Sequence, residues 1–304
     1  PAGRGVRTRC SDDMMWLVWA CHRYVTATGD SEILKARIPF LTAPPLSEQE
    51  VDRYMAYAST PGSETLLEHC IRAMRRGTLT GAHGLPLIGA GDWNDGMDRI
   101  GEAGRGESVW LAWFAAHCSD ALAELLGRAG RDLTEVKRWQ DKAAALRRAV
   151  GTQGWDGAWY LRAYDDEGRP WGSRVNDECR IDSISQSWAV LSGAADREQV
   201  RTALCSAGEE LVDRDKRLVR LLSPPFDKGP RDPGYIKAYP PGVRENGGQY
   251  THAATWLGLA HARMRQGDAA YEIFDLINPI RRSATLEDAE FYRGEPYVMP
   301  ADVG

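Results

Sequence analysis

The side chains best suited to chemistry lie in residues 91–98, which read GDWNDGMD. This short segment holds three carboxylates, those of Asp92, Asp95 and Asp98, and the indole of Trp93. Carboxylates that share a partly buried site raise one another's pKa, so one of them can remain protonated near neutral pH and serve as an acid. An aromatic face beside carboxylates suits a sugar ring, whose C–H patch packs on the indole while its hydroxyls need acceptors.

The alternative interpretation of residues 91–98 is a solvated turn, because Asp, Asn and Gly dominate turns for backbone reasons alone. The surrounding sequence favours a site. Residues 78–106 are rich in glycine and show no helical pattern, and a loop of roughly thirty residues inside a compact domain is usually functional or disordered. The apolar residues 85–88 (LPLI) argue against disorder.

Composition limits the class of protein. The 304 residues are 43% hydrophobic and 27% charged, as in soluble globular proteins, and the formal charge of −5 argues against a broad nucleic-acid surface. Eleven tryptophans against five phenylalanines favour flat polar ligands such as sugars. The sequence shows no βαβ alternation, no GxGxxG after a strand and no P-loop, so nucleotide-binding folds are not expected.

The six cysteines form no CxxC pair and have no zinc-ligand spacing, which fits reduced thiols in a cytoplasmic protein. No apolar run approaches the ~20 residues of a membrane span, so we expect no membrane contact from this segment. The sequence begins with Pro1 rather than Met, and residues 1–5 resemble the middle of a loop. We therefore expect a piece of a longer protein.

Helices are predicted to position these groups. Apolar periodicity and capping residues predict them at residues 14–28, 47–57, 64–76, 107–126, 132–150, 183–193, 196–212, 251–266 and 268–274. A β-hairpin is predicted around residues 165–168, and the proline-containing residues 38–47 and 216–250 are predicted to be irregular. Paired helices separated by long loops are typical of a helical barrel or toroid with a site built from loops at one end.

Four segments together resemble glycoside hydrolase family 94. They are residues 4–13 (RGVRTRCSDD), 91–97 (GDWNDGM), 106–111 (GESVWL) and 244–256 (RENGGQYTHAATW). A narrower similarity, to the phosphorylase-like domain of cyclic β-1,2-glucan synthases and to 1,2-β-oligoglucan phosphorylases, rests on SPPFD at 223–227 and NPI at 278–280. The similarity follows the chain in order over nearly its whole length.

This resemblance implies a fold and an activity, because family 94 enzymes are inverting phosphorylases of β-linked glucosides with an (α/α)6-barrel catalytic domain. We expect residues 1–304 to be a single all-α catalytic domain of this type, incomplete at both ends, with long loops and a short β-hairpin. The expected reactants are a β-glucan oligosaccharide and inorganic phosphate as co-substrate, with no cofactor and no metal. A homodimer is one possible assembly, and the cytoplasmic part of an inner-membrane synthase is one possible location.

The resemblance also implies roles for individual residues. Asp95 matches the general acid, and Trp93 matches a residue that contacts the transferred glucosyl unit. Arg7 and Asp13 match a pair that binds hydroxyls of the same unit, the alternative being that they only pair with each other. Glu245 matches a further sugar-binding carboxylate.

His252 matches a phosphate ligand in the same family pattern. The alternative is a core histidine near a helix start, although a helix N-terminus is also where an anion is favoured. The pattern places a phosphate-binding Thr-Gly pair beyond Gly304 and a phosphate-binding arginine before Pro1. A glutamine of cellobiose-type members is not evident near residues 296–298, which argues against cellobiose as substrate.

Three functions follow from these residues. In a phosphorylase, Asp95 protonates the glycosidic oxygen while phosphate attacks the opposite face of the ring, so one acid suffices. An inverting hydrolase needs a base to activate water, for which Glu245 is the candidate. The third is a non-catalytic domain that binds glucan or controls its chain length within a larger synthase.

Overall fold

The computed structural model describes residues 3–48, 50–193 and 196–304. Pro1, Ala2 and Gln49, which entered the predictions above, lie outside the described residues. The helices are α1 (Asp13–Thr28), α2 (Leu66–Gly77), α3 (Val109–Arg128), α4 (Leu133–Gln153), α5 (Ser183–Leu191), α6 (Arg197–Glu210), α7 (Thr251–Arg263), α8 (Gly267–Ile277), α9 (Pro279–Arg282) and α10 (Leu286–Tyr292).

The described strands are β1 (Arg4–Thr8), β2 (Arg37–Thr42), β3 (Asp52–Ala56), β4 (Ala58–Thr65), β5 (Glu107–Ser108), β6 (Ala163–Tyr164), β7 (Pro170–Trp171), β8 (Ile181–Asp182), β9 (Val212–Asp213), β10 (Leu218–Val219), β11 (Leu222–Ser223), β12 (Gln249–Tyr250) and β13 (Asp302–Val303). They pair in small antiparallel sheets: β1 with β3, β2 with β4, β8 with β11, β9 with β10, β12 with β13, and β5–β6–β7 as a three-stranded sheet.

Four helices, α1, α3, α5 and α7, pack side by side in that order and form the centre of the structure. Each of them packs against the helix that follows, giving the pairs α1–α2, α3–α4, α5–α6 and α7–α8. Helix α3 is apolar and buried on nearly all sides, whereas α4 buries a single stripe consisting of Trp139, Ala143, Leu146 and Val150. This difference identifies α3 as an inner helix and α4 as an outer one.

Side-chain caps mark the start of two of the inner helices, α3 and α5. Ser108 Oγ accepts a hydrogen bond from Leu111 N at 2.9 Å at the start of α3, and Asp182 Oδ1 accepts one from Ile184 N at 3.0 Å at the start of α5. These caps satisfy amide groups that have no partner inside the helix. None of the described helices has the length and apolar character needed to cross a membrane.

The predicted helix-rich architecture is confirmed, including the β-hairpin, in which Gly168 N donates to Asp165 O at 2.9 Å between β6 and β7. The prediction of a single hairpin is wrong, because the region before α2 also contains β1 to β4. Residues 38–47, predicted to be irregular, include most of β2, and the helix predicted at 47–57 is replaced by β3. Both strands lie in exposed two-stranded ribbons, so they bury too little apolar surface to produce a clear pattern.

Candidate active site

A fully buried ion cluster holds the loop that contains Asp95. Asp92 accepts hydrogen bonds from Ser108 Oγ at 2.7 Å and from Arg162 Nη1 at 2.8 Å, and Arg162 Nε donates to Asp182 at 3.1 Å. Burial opposes the charge of Arg162, but Asp92 and Asp182 raise its pKa. Asn94 N donates to Asp92 Oδ1 at 3.1 Å, so the cluster also fixes the backbone next to Asp95.

Asp92 therefore has a structural role, because its carboxylate is buried and paired with Arg162. Neither Arg162 nor Asp182 was expected at this site from the sequence. The one available signal was an arginine inside the otherwise apolar and aromatic residues 159–163, WYLRA. A buried arginine needs carboxylate partners, and its presence there predicts an ion cluster.

Asp95 lies exposed at the surface of the loop, beyond this cluster. The loop turns back on itself at Gly91, which has φ 104°, and a Cβ at this position would lie 3.0 Å from Asp95 Cα. The phenol of Tyr235 lies beside the Asp95 carboxylate: burial, and then Asp95, raise the pKa of Tyr235. Tyr235 N donates to Asp98 Oδ1 at 2.9 Å, so Asp98 attaches the tyrosine segment to the loop.

Trp93 is hydrogen-bonded to His252, 159 residues away in the sequence. Trp93 Nε1 donates to His252 Nδ1 at 3.2 Å, and the Trp93 ring lies 5.4 Å from that of Tyr250 and 5.5 Å from that of Trp256. Because Nδ1 accepts this bond, the imidazole is neutral and has its proton on Nε2. Desolvation by burial also lowers the pKa of His252.

His252 is the second residue of α7, and it is partly exposed with its ring packed against Trp256, so it is not enclosed in the core. A neutral Nε2–H at the N-terminus of a helix can donate to an anion. The geometry therefore allows an anion beside Trp93.

Glu245 is 7% exposed and lies between two tyrosines. Burial is the larger cause of the raised pKa of Tyr250, and the charge of Glu245 raises that pKa further. The same charge contributes to the raised pKa of Tyr235. Arg244 Nε lies 3.3 Å from Glu245 Oε2, yet this buried oxygen accepts no hydrogen bond from the described residues. A buried carboxylate oxygen without a hydrogen bond is costly, and the nearby guanidinium of Arg244 offsets part of that cost.

Arg7 and Asp13 lie at the end of β1 and the start of α1. Arg7 Nη1 donates to Pro44 O at 3.3 Å, and its guanidinium lies 5.9 Å from the centre of the Tyr57 ring. Asp13 accepts a hydrogen bond from the Thr8 hydroxyl. Within the described ranges no ion pair joins Arg7 to Asp13, so the alternative that they only pair with each other is wrong.

Cys10 connects the start of α1 with the loop that contains Asp95. Ser11 N donates to Gly91 O at 3.0 Å, which holds the two segments side by side. Burial raises the pKa of Cys10 to about 12, and the charges of Asp13, Asp12 and Asp95 contribute in that order. Asp13 and Asp95 therefore lie near the same thiol.

A cleft of about 890 Å³ opens beside this region. Its wall includes Asp13, Cys10 and Asp98, together with residues from α2 and with residues 48, 50 and 51. Asp13 is the one predicted site residue among the described residues of this wall. The others lie outside it: Arg7, Trp93, Asp95, Glu245 and His252. Trp93, Glu245 and His252 thus lie around Tyr250. Asp95 and Glu245 both lie near Tyr235.

A carboxyl with a raised pKa lies outside residues 91–98, at Asp12. This side chain is 4% exposed and accepts a hydrogen bond from Trp16 Nε1 at 2.8 Å. Burial, and then the charge of Asp92, raise the pKa of Asp12 from 3.8 to about 7. The folded protein therefore retains a proton that the unfolded chain releases in acid.

The free energy of unfolding of the wild type should fall as pH rises, and we expect that of Asp12→Asn to fall less. The raised pKa contributes stability that is present in full below pH 3.8 and is lost as pH rises to about 7. Each pH unit in this window lowers the free energy of unfolding by up to about 1.4 kcal/mol. Urea unfolding at pH 4.5, 5.5, 6.5 and 7.5 measures this slope, with Asp141→Asn as the exposed control. Parallel curves for wild type and Asp12→Asn would contradict the assignment.

Residues 2–304 match the family described as Glycosyl hydrolase 94 superfamily, catalytic domain. The chain is 49% identical over 300 residues to the cyclic beta-(1,2)-glucan synthase NdvB of Rhizobium meliloti, a match that covers 98% of this chain and 11% of the relative. It is 33% identical to the solabiose phosphorylase of Paenibacillus borealis, covering 95% of this chain and 35% of that protein.

The N,N'-diacetylchitobiose phosphorylase of Vibrio furnissii is 27% identical, with 98% of this chain and 35% of the relative covered. The chain thus spans about a third of the phosphorylases it matches and about a tenth of the synthase. Among solved structures, the GH78 family rhamnosidase of Bacillus sp. GL1 aligns with a TM-score of 0.52 at 13% identity, over 97% of this chain and 25% of that one. This last similarity concerns the fold alone.

Proposed function

The chain belongs to the glycosyl hydrolase 94 superfamily, and from this membership we propose that it catalyses inverting phosphorolysis of a β-linked glucan. The proposed substrate is β-1,2-glucan, and the products are α-glucose 1-phosphate and a shortened glucan. The observation that carries the proposal is the Trp93–His252 hydrogen bond, which joins an indole suited to a sugar with an Nε2–H suited to an anion. Matches to several phosphorylases support the same reaction.

In the proposed mechanism, Asp95 protonates the glycosidic oxygen as phosphate attacks the anomeric carbon from the opposite face. Phosphate is already an anion and needs no base, so one catalytic carboxyl is sufficient. Trp93 packs against the ring of the transferred glucosyl unit. Arg7, Asp13 and Glu245 bind its hydroxyls.

We expect His252→Ala to raise KM for phosphate by about tenfold or more, because it removes a hydrogen bond to a charged ligand. KM for the glucan should change less. Initial rates measured against phosphate at saturating glucan test this. His69→Ala is the control, since His69 is a half-buried histidine of α2 that hydrogen-bonds to Ile38 O and packs against Phe40. An unchanged KM for phosphate would remove His252 from the anion site.

The proposed function also implies a domain architecture and a cellular location for this chain. We propose that residues 1–304 act as one catalytic domain of the (α/α)6 type, to which the arc of α1, α3, α5 and α7 would contribute four inner helices. A cytoplasmic location and a homodimer remain predictions. The GH78 rhamnosidase similarity supports the helical fold.

The second candidate is a non-catalytic domain that binds glucan or controls its length, which the 49% identity to a glucan synthase favours. Incubation with β-1,2-glucan oligomers, with and without phosphate, separates the possibilities. Glucose 1-phosphate formed only when phosphate is present supports phosphorolysis. Glucose formed without phosphate indicates hydrolysis with Glu245 as base, and binding without turnover indicates the non-catalytic domain.

A further inference from the structure

Two backbone hydrogen bonds fasten the segment that contains Tyr235 to the loop that contains the proposed acid. Ile236 N donates to Gly96 O at 2.9 Å on one side of the tyrosine, and Arg99 N donates to Pro233 O at 3.2 Å on the other. Ile236 is fully buried, so this side of the attachment is shielded from water. The backbone of Tyr235 therefore has a fixed position relative to the loop.

A glycine at position 234 allows the two segments to approach this closely. Gly234 has φ 121°, and a Cβ at this position would overlap Asp98 Oδ1 and lie 2.7 Å from Gly96 O. A residue with a side chain does not fit there, and its backbone would be strained. Tyr235 thus leaves the backbone at a point where its segment and the loop are in direct contact.

The side chain of Tyr235 reaches the proposed acid from this anchored backbone. Burial raises the pKa of Tyr235, and a hydrogen bond between its phenol and the carboxylate of Asp95 is the next cause. The charges of Tyr239 and Glu245 act in the same direction. The phenol therefore keeps its proton near neutral pH and is the donor in the bond to Asp95.

We propose that Tyr235 positions Asp95 for proton transfer by donating a hydrogen bond to one carboxyl oxygen, which leaves the other oxygen to face the glycosidic bond. This role of Tyr235 rests on the proposed function, in which Asp95 is the general acid. Asp95 is exposed, so several rotamers are open to its side chain, and a fixed donor selects one of them. After the proton has moved to the glycosidic oxygen, the same hydrogen bond stabilises the carboxylate that remains. Tyr235 is a positioning residue, because it acts through the acid.

Tyr235→Phe removes the hydroxyl and keeps the ring. We expect it to lower kcat with β-1,2-glucan oligomers and saturating phosphate by about tenfold, with little change in KM for the glucan. Tyr24→Phe is the matched control, because the Tyr24 hydroxyl donates to Asp30 Oδ2 at 3.1 Å near the C-terminal end of α1. The two tyrosines are similarly exposed, at 44% for Tyr235 and 46% for Tyr24. Tyr24→Phe should leave kcat unchanged.

A second comparison removes the Tyr235 hydroxyl from the Asp95→Asn protein. If Tyr235 acts through Asp95, Tyr235→Phe should lower kcat by less than about twofold in this background, because the proton that it positions is already absent. A tyrosine that only stabilises the local structure would lower kcat by the same factor in both backgrounds. That result would overturn the proposal.

The products of the wild type separate a failure of this role from a failure of the proposed function. An active wild type whose kcat is unchanged by Tyr235→Phe contradicts the role of Tyr235 alone. Glucose released without phosphate contradicts phosphorolysis alone, and the variants are then compared by glucose release, because an inverting hydrolase also uses an acid. A wild type that cleaves no glucan contradicts the proposed function, and the role of Tyr235 with it.

Discussion

Asp95→Asn should lower kcat for phosphorolysis by about 10²- to 10⁴-fold, the usual contribution of a positioned general acid. The amide has the shape of the carboxyl but cannot deliver a proton to the glycosidic oxygen. KM for the glucan should change little, because the loss falls on the transition state rather than on substrate binding. Steady-state kinetics with β-1,2-glucan oligomers and saturating phosphate measure both constants.

The matched control for Asp95→Asn is Asp232→Asn. Asp232 is an exposed carboxylate, and its partner is the surface residue Arg99. The Asp232→Asn variant should retain a kcat close to that of the wild type. If Asp95→Asn also retains it, another group donates the proton and the proposed mechanism is wrong.

Arg162→Met should lower the free energy of unfolding by about 3–5 kcal/mol, because it leaves the buried carboxylates of Asp92 and Asp182 without their cation. Methionine fills a similar volume, so the loss reflects charge more than packing. Urea denaturation followed by tryptophan fluorescence measures it. Asp92 also holds the backbone at Asn94, so kcat should fall in the folded fraction as well.

Arg99→Met is the control for this substitution, since Arg99 forms an exposed ion pair with Asp232 in which both side chains are at least half exposed. Such surface pairs contribute about 0–1 kcal/mol. Equal losses for Arg99→Met and Arg162→Met would mean that the buried cluster does not stabilise the fold.

The helices were predictable because their signals are local. A cap followed by an apolar stripe, such as Asp132 before the Trp139 to Val150 stripe of α4, is contained within a few turns. The exposed strands β2 and β3 were not predictable in this way. Their partners lie far along the chain, and Pro39 and the acidic residues near 48–50 indicate a loop and a helix start instead.

Part of the candidate site could also be predicted from the sequence. Residues 91–98 stood out by composition, whereas the link between Trp93 and His252 depends on two segments 159 residues apart that only the fold brings together. Tyr235 lies in a proline-rich segment without a pattern, and nothing in its neighbours indicated contact with Asp95. Asp12 and Asp13 are neighbours in the sequence, and nothing in the sequence indicates that Asp12 is buried while Asp13 is exposed.

The most direct test of the central claim is proton NMR of the reaction with β-1,2-glucan oligomers and phosphate. One acid at Asp95 with phosphate as nucleophile predicts that α-glucose 1-phosphate is the first sugar product and that it is absent when phosphate is omitted. The appearance of β-glucose 1-phosphate, or of free glucose without phosphate, would contradict inverting phosphorolysis.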